Sequence, residues 1–135
     1  MKTVLIVDDE ANIRRFAAAN LSRRGYTIIE AGDAEEGLEI LKGHSSGQAA
    51  KVLLLDIRLP GMSGWNLLEA MAREPQVPKD ILVVIMTASV TDANISTIGY
   101  PNVVEVLIKP VSTDQLIRAV QSALSRVSSQ ETDPK

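Results

Sequence analysis

Apolar residues gather in five short runs, at 3–8, 27–31, 51–56, 81–87 and 103–109. The runs are rich in Val, Ile and Leu, and the first shows no polar alternation from Val4 to Val7, the pattern of a strand buried on both faces. Between the runs the apolar positions shift to a helical period. Ile13, Phe16, Ala17 and Leu21 share one face of the first such segment, with Asn20 as the odd polar member, and Gly25 ends it. Asp33 followed by Glu36 reads as an N-cap and its partner, opening a second helix that buries Gly37, Leu38 and Leu41. A third carries Trp65, Leu68 and Met71 behind a Ser63 cap. The fourth has Ile95 and Ile98 before "GYPN" breaks it. The fifth opens on Ser112 and Gln115 and presents Leu116, Ile117, Val120 and Leu124.

This alternation predicts a (βα)₅ chain, with a parallel sheet covered on both faces and right-handed crossovers. The expected fold class is α/β and doubly wound, a flavodoxin-like sheet of order 2-1-3-4-5. The folded domain is expected over residues 1–127. The polar tail 128–135 is expected to be disordered, and "KGHSSGQAA" reads as a polar loop.

In such a sheet all strands point one way, and ligands collect at their C-terminal edge. The runs here end in Asp8 and Asp9, Asp56, Thr87 and Lys109. Taken singly, each has a plainer explanation. Asp8 or Asp9 could cap the first helix, Asp56 could close a turn, Thr87 could pack in the core, and Lys109 could be a solvated cation. Converging on one edge, they make chemistry the better explanation. Asp9 and Asp56, with water and a backbone carbonyl, are the hard oxygen ligands that Mg²⁺ prefers, and a divalent cation relieves carboxylate repulsion. Lys109 supplies a charge for a phosphate oxygen and Thr87 a hydroxyl donor. Together they suit a phosphoryl group moving in line onto a carboxylate, with Asp56 the central acceptor.

Composition narrows the alternatives. The chain has 135 residues, 45% apolar and 23% charged, with a net charge of −3, which does not suggest a nucleic-acid surface. It has no cysteine, which removes thiolate catalysis and thiolate metal sites, and its one histidine, His44, reads as a loop residue. No apolar run approaches the roughly 20 residues of a membrane span, and the N-terminus lacks a signal-peptide pattern. A cytoplasmic protein is the expectation.

With these residues in place, the chain resembles the receiver domain of two-component response regulators, over residues 1 to about 127. "DDE" at 8–10 resembles the family's acidic pair, and "LLLDIRLPGMSG" at 53–64 its phospho-acceptor strand and following loop. "MTA" at 86–88 is similar to its switch threonine, and "IKP" at 108–110 to its lysine and cis-joined proline. The resemblance implies Asp8, Asp9, Asp56 and the Arg58 carbonyl as ligands of Mg²⁺, and Asp56 as the phospho-acceptor. It implies Thr87, Lys109 and the Ala88 N–H as phosphoryl contacts. Its implied partners are a sensor histidine kinase or histidine phosphotransfer protein and a downstream protein target, with no nucleic acid and no membrane insertion. Such a domain is a signalling phospho-acceptor that assists its own phosphorylation and dephosphorylation, not an enzyme.

Two features depart from the family pattern. Val106 stands where an aromatic residue often sits three positions before the lysine, and Tyr100 is too early to replace it. No output domain follows residue 127, so the chain reads as a stand-alone receiver. Three rival functions share some of these features. A Mg²⁺-dependent phosphohydrolase needs a second acid just after the nucleophile, whereas Asp56 precedes Ile57 and Arg58. A flavodoxin-type carrier needs a phosphate-binding loop after the first strand, where this chain is acidic. A degenerate, phosphorylation-independent interaction module would not need the complete set of side chains found here. Trp65 is expected to pack on a helix face near the site, and Glu10 to be a solvated first-turn acid.

Overall fold

The computed structural model of the chain describes residues 2–43, 50–95 and 100–132. Strands and helices alternate: β1 Thr3–Val7, α1 Ala11–Ser22, β2 Thr27–Ala31, α2 Ala34–Leu41, β3 Val52–Asp56, α3 Gly64–Arg73, β4 Leu82–Thr87, α4 Val90–Ile95, β5 Val103–Ile108 and α5 Thr113–Thr132. The strands are parallel in the order β2-β1-β3-β4-β5, as the alternation predicts.

Strand residues divide by parity between two cores. Leu5, Val7, Leu53, Leu55, Val83 and Ile85 pack with α2 and α3 on one face. Val4, Ile6, Val52, Leu54, Val84 and Met86 pack with α1 and α5 on the other. This two-sided burial is why β1, β3 and β4 contain apolar residues without alternation.

The caps follow local chemistry. Asp33 Oδ1 accepts the Glu36 N–H at 2.8 Å. Ser63 and Asn66 form a reciprocal capping box at the start of α3, and Ser112 and Gln115 do the same before α5. Gly25 leaves α1 at φ +92°. Gly64 is required by close approach, because a Cβ there would lie 2.7 Å from the Asp56 carbonyl oxygen and 2.7 Å from Ile57 Cα. The first residue of α3 therefore packs directly on the backbone that follows β3.

Three expectations need correction or restriction. Phe16 is exposed, not part of the core. The buried stripe of α1 is narrow, Ala17 and Leu21, and position 16 is one residue, about 100°, off that stripe. Helix α5 runs to Thr132, past the expected domain boundary at residue 127. Residues 128–132 contain no Gly or Pro, and the first breaker is Pro134, so the helix has no local reason to stop. His44, Ile98 and most of the polar loop around residue 44 lie outside the described residues.

Candidate functional site

The acidic pair sits in the turn from β1 to α1. Asp8 lies just past the strand and is fully buried, while Asp9 is exposed. Three bonds fix the turn. The Asp8 N–H donates to the Ala31 carbonyl at 3.2 Å, Asp8 Oδ1 accepts the Glu10 N–H at 2.9 Å, and Arg14 Nη1 donates to the Asp8 carbonyl at 2.7 Å. Asp8 thus also has the plainer role of closing the turn into the helix. Arg14 is itself held by Glu30 at 3.2 Å. The sequence did not single out this brace, because Arg14 reads as an ordinary surface charge on α1.

Asp56 ends β3 and is buried. Its Oδ1 accepts the Arg58 N–H at 3.0 Å. Lys109 follows β5, and its N–H donates to the Thr87 carbonyl at 2.8 Å, continuing the β4–β5 ladder and setting the two residues side by side. From there Lys109 Nζ reaches Asp8 Oδ2 at 2.9 Å and Asp56 Oδ2 at 3.1 Å, and Glu10 at 3.7 Å. The Lys109–Pro110 peptide is cis.

Carboxylate oxygens of Asp8, Asp9 and Asp56 all lie within 4.8 Å of one another. Burial pushes the Asp56 carboxyl above its ordinary value; the hydrogen bond and charge of Lys109 oppose this, and the charge of Asp8 adds to it. Burial alone would lower the Lys109 ammonium. Its hydrogen bonds to Asp8 and Asp56, and their charges, outweigh that and hold it above the usual lysine range. Three hard oxygen donors packed this closely fit Mg²⁺, and one ammonium against three carboxylates leaves room for a divalent charge.

Thr87 is buried at the end of β4, and its Oγ1 accepts the Ser89 N–H at 3.0 Å. Ala88 is exposed beside it. The five strand-end side chains singled out from sequence, Asp8, Asp9, Asp56, Thr87 and Lys109, therefore share one edge of the sheet. Two side-chain pairings were not foreseen. Arg58 forms an ion pair with Asp92 of α4 at 2.6 Å. Trp65, half-buried, stacks on Tyr100 with ring centroids 5.7 Å apart and lines a cleft with Ile57, Arg58, Leu59, Ser63 and Asp92. The exposed Phe16 lines an apolar groove with Asn12, Ile13, Met86, Lys109, Pro110 and Val111.

The fold is a doubly wound α/β sheet with this acidic cluster at its strand C-termini, the edge where ligands collect in such folds. The pattern of one family, "Response regulator receiver domain", matches residues 4–121, and the chain belongs to that family of two-component signalling domains. It is 31% identical over 125 residues to the probable transcriptional regulator ycf27 of Porphyridium aerugineum, a match covering 92% of this chain and 48% of that protein. The chain spans about half the length of the curated relatives it matches. A CheY-like response regulator receiver domain protein of Methanospirillum hungatei JF-1 has a similar structure, with TM-score 0.79 and 32% identity over 95% of this chain and 98% of that one. The response regulator TrrA of Thermotoga maritima, solved in complex with Mg(2+)-BeF, gives TM-score 0.75 and 28% identity over 91% and 99% of the two chains. Among the described residues no helix is long and apolar enough to cross a membrane.

Proposed function

We propose that this domain takes a phosphoryl group from a partner's phosphohistidine onto Asp56 and switches its binding to a downstream protein. The observation that carries this reading is the cluster of Asp8, Asp9 and Asp56 with Lys109 Nζ bridging the two buried acids. An Asp56 carboxylate oxygen attacks phosphorus in line, and the phosphorus–nitrogen bond to the donor imidazole breaks with its electron pair leaving on nitrogen. Lys109, the Thr87 hydroxyl and the Ala88 N–H are the donors for the equatorial oxygens, where charge is spread in the transition state. Mg²⁺, held by Asp8, Asp9, Asp56 and the Arg58 carbonyl, would neutralise charge on the transferring group.

Burial of Asp56 also suits the role. A desolvated carboxylate with a raised proton affinity is a stronger nucleophile than a solvated one, and Lys109 favours its ionised form. The apolar groove beside Lys109 gives a donor protein a surface next to the acceptor. The test is incubation with acetyl phosphate and Mg²⁺ followed by intact-mass and peptide mass spectrometry. A phosphoryl adduct on Asp56 that is absent from Asp56→Asn supports the reading; an equal adduct on the variant refutes it.

A further inference from the structure

An arginine side chain holds the peptide group that joins the two acids of the β1–α1 turn. Asp8 is fully buried, so its carbonyl is out of reach of water and must be paired within the protein. Its partner is Arg14 Nη1 at 2.7 Å. The guanidinium is itself placed from two further sides. Its Nε donates to Glu30 Oε1 on β2 at 3.2 Å, and its Nη1 and Cζ lie 3.6 and 3.9 Å from where a Cβ on Gly32 would stand. The Arg14 side chain is only 22% exposed.

The two acids differ in what else fixes them. Asp8 Oδ1 accepts the Glu10 N–H and Asp8 Oδ2 meets Lys109 Nζ, so that carboxylate has ties of its own. Asp9 is exposed, and its side chain has no hydrogen bond or ion pair among the described residues. Its carboxylate nevertheless lies with those of Asp8 and Asp56, all within 4.8 Å of one another. The backbone that carries Asp9 must therefore place it. A peptide group is planar, so the donor that fixes the Asp8 carbonyl oxygen also fixes the direction in which the chain enters Asp9.

We propose that Arg14 is a positioning residue for the acidic cluster: by gripping the Asp8 carbonyl it aims Asp9 at the cation site. The inference rests on the reading of Asp8, Asp9 and Asp56 as a Mg²⁺ site. Arg14 plays this part against its own charge. A guanidinium bonded to the Asp8 carbonyl repels a cation arriving at the neighbouring carboxylates, so a purely electrostatic Arg14 would weaken Mg²⁺ binding and its removal would tighten it. Positioning predicts the opposite sign.

The experiment uses Arg14→Met, which keeps an apolar stem and removes the donors and the charge, together with Asp9→Ala and the double variant Asp9→Ala/Arg14→Met. Thermal unfolding checks that each folds, and Arg14→Gln, too short to span Glu30 and the Asp8 carbonyl, replaces Arg14→Met if that variant does not. Mg²⁺ affinity is read by titration of amide chemical shifts. Arg14→Met is expected to weaken binding about fivefold, less than the roughly tenfold or more lost with a hydrogen-bond partner of a metal ligand, because the departing positive charge offsets part of the effect. In the Asp9→Ala background the same change should weaken binding no further, since Arg14 acts through Asp9. Unchanged or tighter Mg²⁺ binding by the folded Arg14 variant overturns the proposal. So does an equal loss in both backgrounds, the result of a general loosening of the fold. A parent protein whose amides at residues 8–10 do not respond to Mg²⁺ refutes the metal reading itself, an outcome distinct from either.

Discussion

Lys109 Nζ stands 2.9 Å from Asp8 Oδ2 although the two residues are 101 positions apart in the chain. The ammonium also meets Asp56, so one side chain from the end of β5 serves as counter-ion to two buried acids from β1 and β3. Such an arrangement stabilises the fold only while the cation is present, since removing one partner strands a buried charge. Lys109→Met should therefore lower stability in metal-free buffer by about 3–5 kcal/mol, the range for breaking a buried pair. Mg²⁺ should restore part of the loss, because it binds the folded state and supplies the missing charge. Urea unfolding with EDTA and with Mg²⁺ measures both effects, and equal losses under the two conditions would count against a shared cation site.

The same geometry predicts the response to pH. Folding raises the Asp56 pKa above 3.8, chiefly through burial. The folded domain thus holds this proton to higher pH than the unfolded chain. Ionised Asp56 subtracts stability fully above its folded pKa and not at all below 3.8. Asp56→Asn removes that cost while keeping the shape, so its melting temperature at pH 7 should exceed the parent's by a few degrees. The gain should shrink to nothing below 3.8. Paired calorimetric scans from pH 3 to pH 7 check the sign, and a variant less stable at neutral pH would contradict it.

Asp9 is the exposed member of the acidic cluster. Asp9→Ala should weaken Mg²⁺ binding roughly tenfold or more, since the ion would lose one of its few hard protein oxygens. In metal-free buffer it should raise stability slightly by relieving carboxylate repulsion. A Mg²⁺ titration followed by Trp65 fluorescence is the measurement; unaltered affinity would remove Asp9 from the ligand set.

Phosphoryl binding should move mainly residues 88–92, with smaller changes along β5. Val106 is half-buried beside the core shared by Trp65 and Tyr100. It offers one small, stiff side chain instead of a ring that could swing into vacated space. Amide chemical-shift mapping with and without beryllofluoride and Mg²⁺ should show the largest shifts at 87–92. Equal shifts across 103–107 and 116–120 would contradict this.

Much of this fold was legible because strands buried on both faces leave long unbroken apolar runs, and because each strand-end side chain follows such a run. Asp8, Asp56, Thr87 and Lys109 could be brought to one edge by topology alone. What a one-dimensional pattern could not show was the pairing of side chains from different loops. Arg58 and Asp92 are 34 positions apart, and neither has a periodicity that announces the other. Phe16 failed for a related reason: its apolar character fits a helical stripe, but only the packing of α1 on α5 shows that the stripe ends one residue further on. The caps at Asp33, Ser63 and Ser112 were readable because they are local.

The stack of Trp65 on Tyr100 gives the molecule an optical property. The chain has one tryptophan and two tyrosines. With ring centroids 5.7 Å apart, energy absorbed by Tyr100 is expected to pass to Trp65 instead of being emitted. Tyr26 stands at the entry to β2, on the opposite side of the sheet order from Tyr100. A rise in total tyrosine emission in Tyr26→Phe, where Tyr100 is the remaining tyrosine, would report the rings drawing apart. Unlabelled protein thus carries its own gauge of the distance between the start of α3 and the entry to β5, readable in real time by stopped flow.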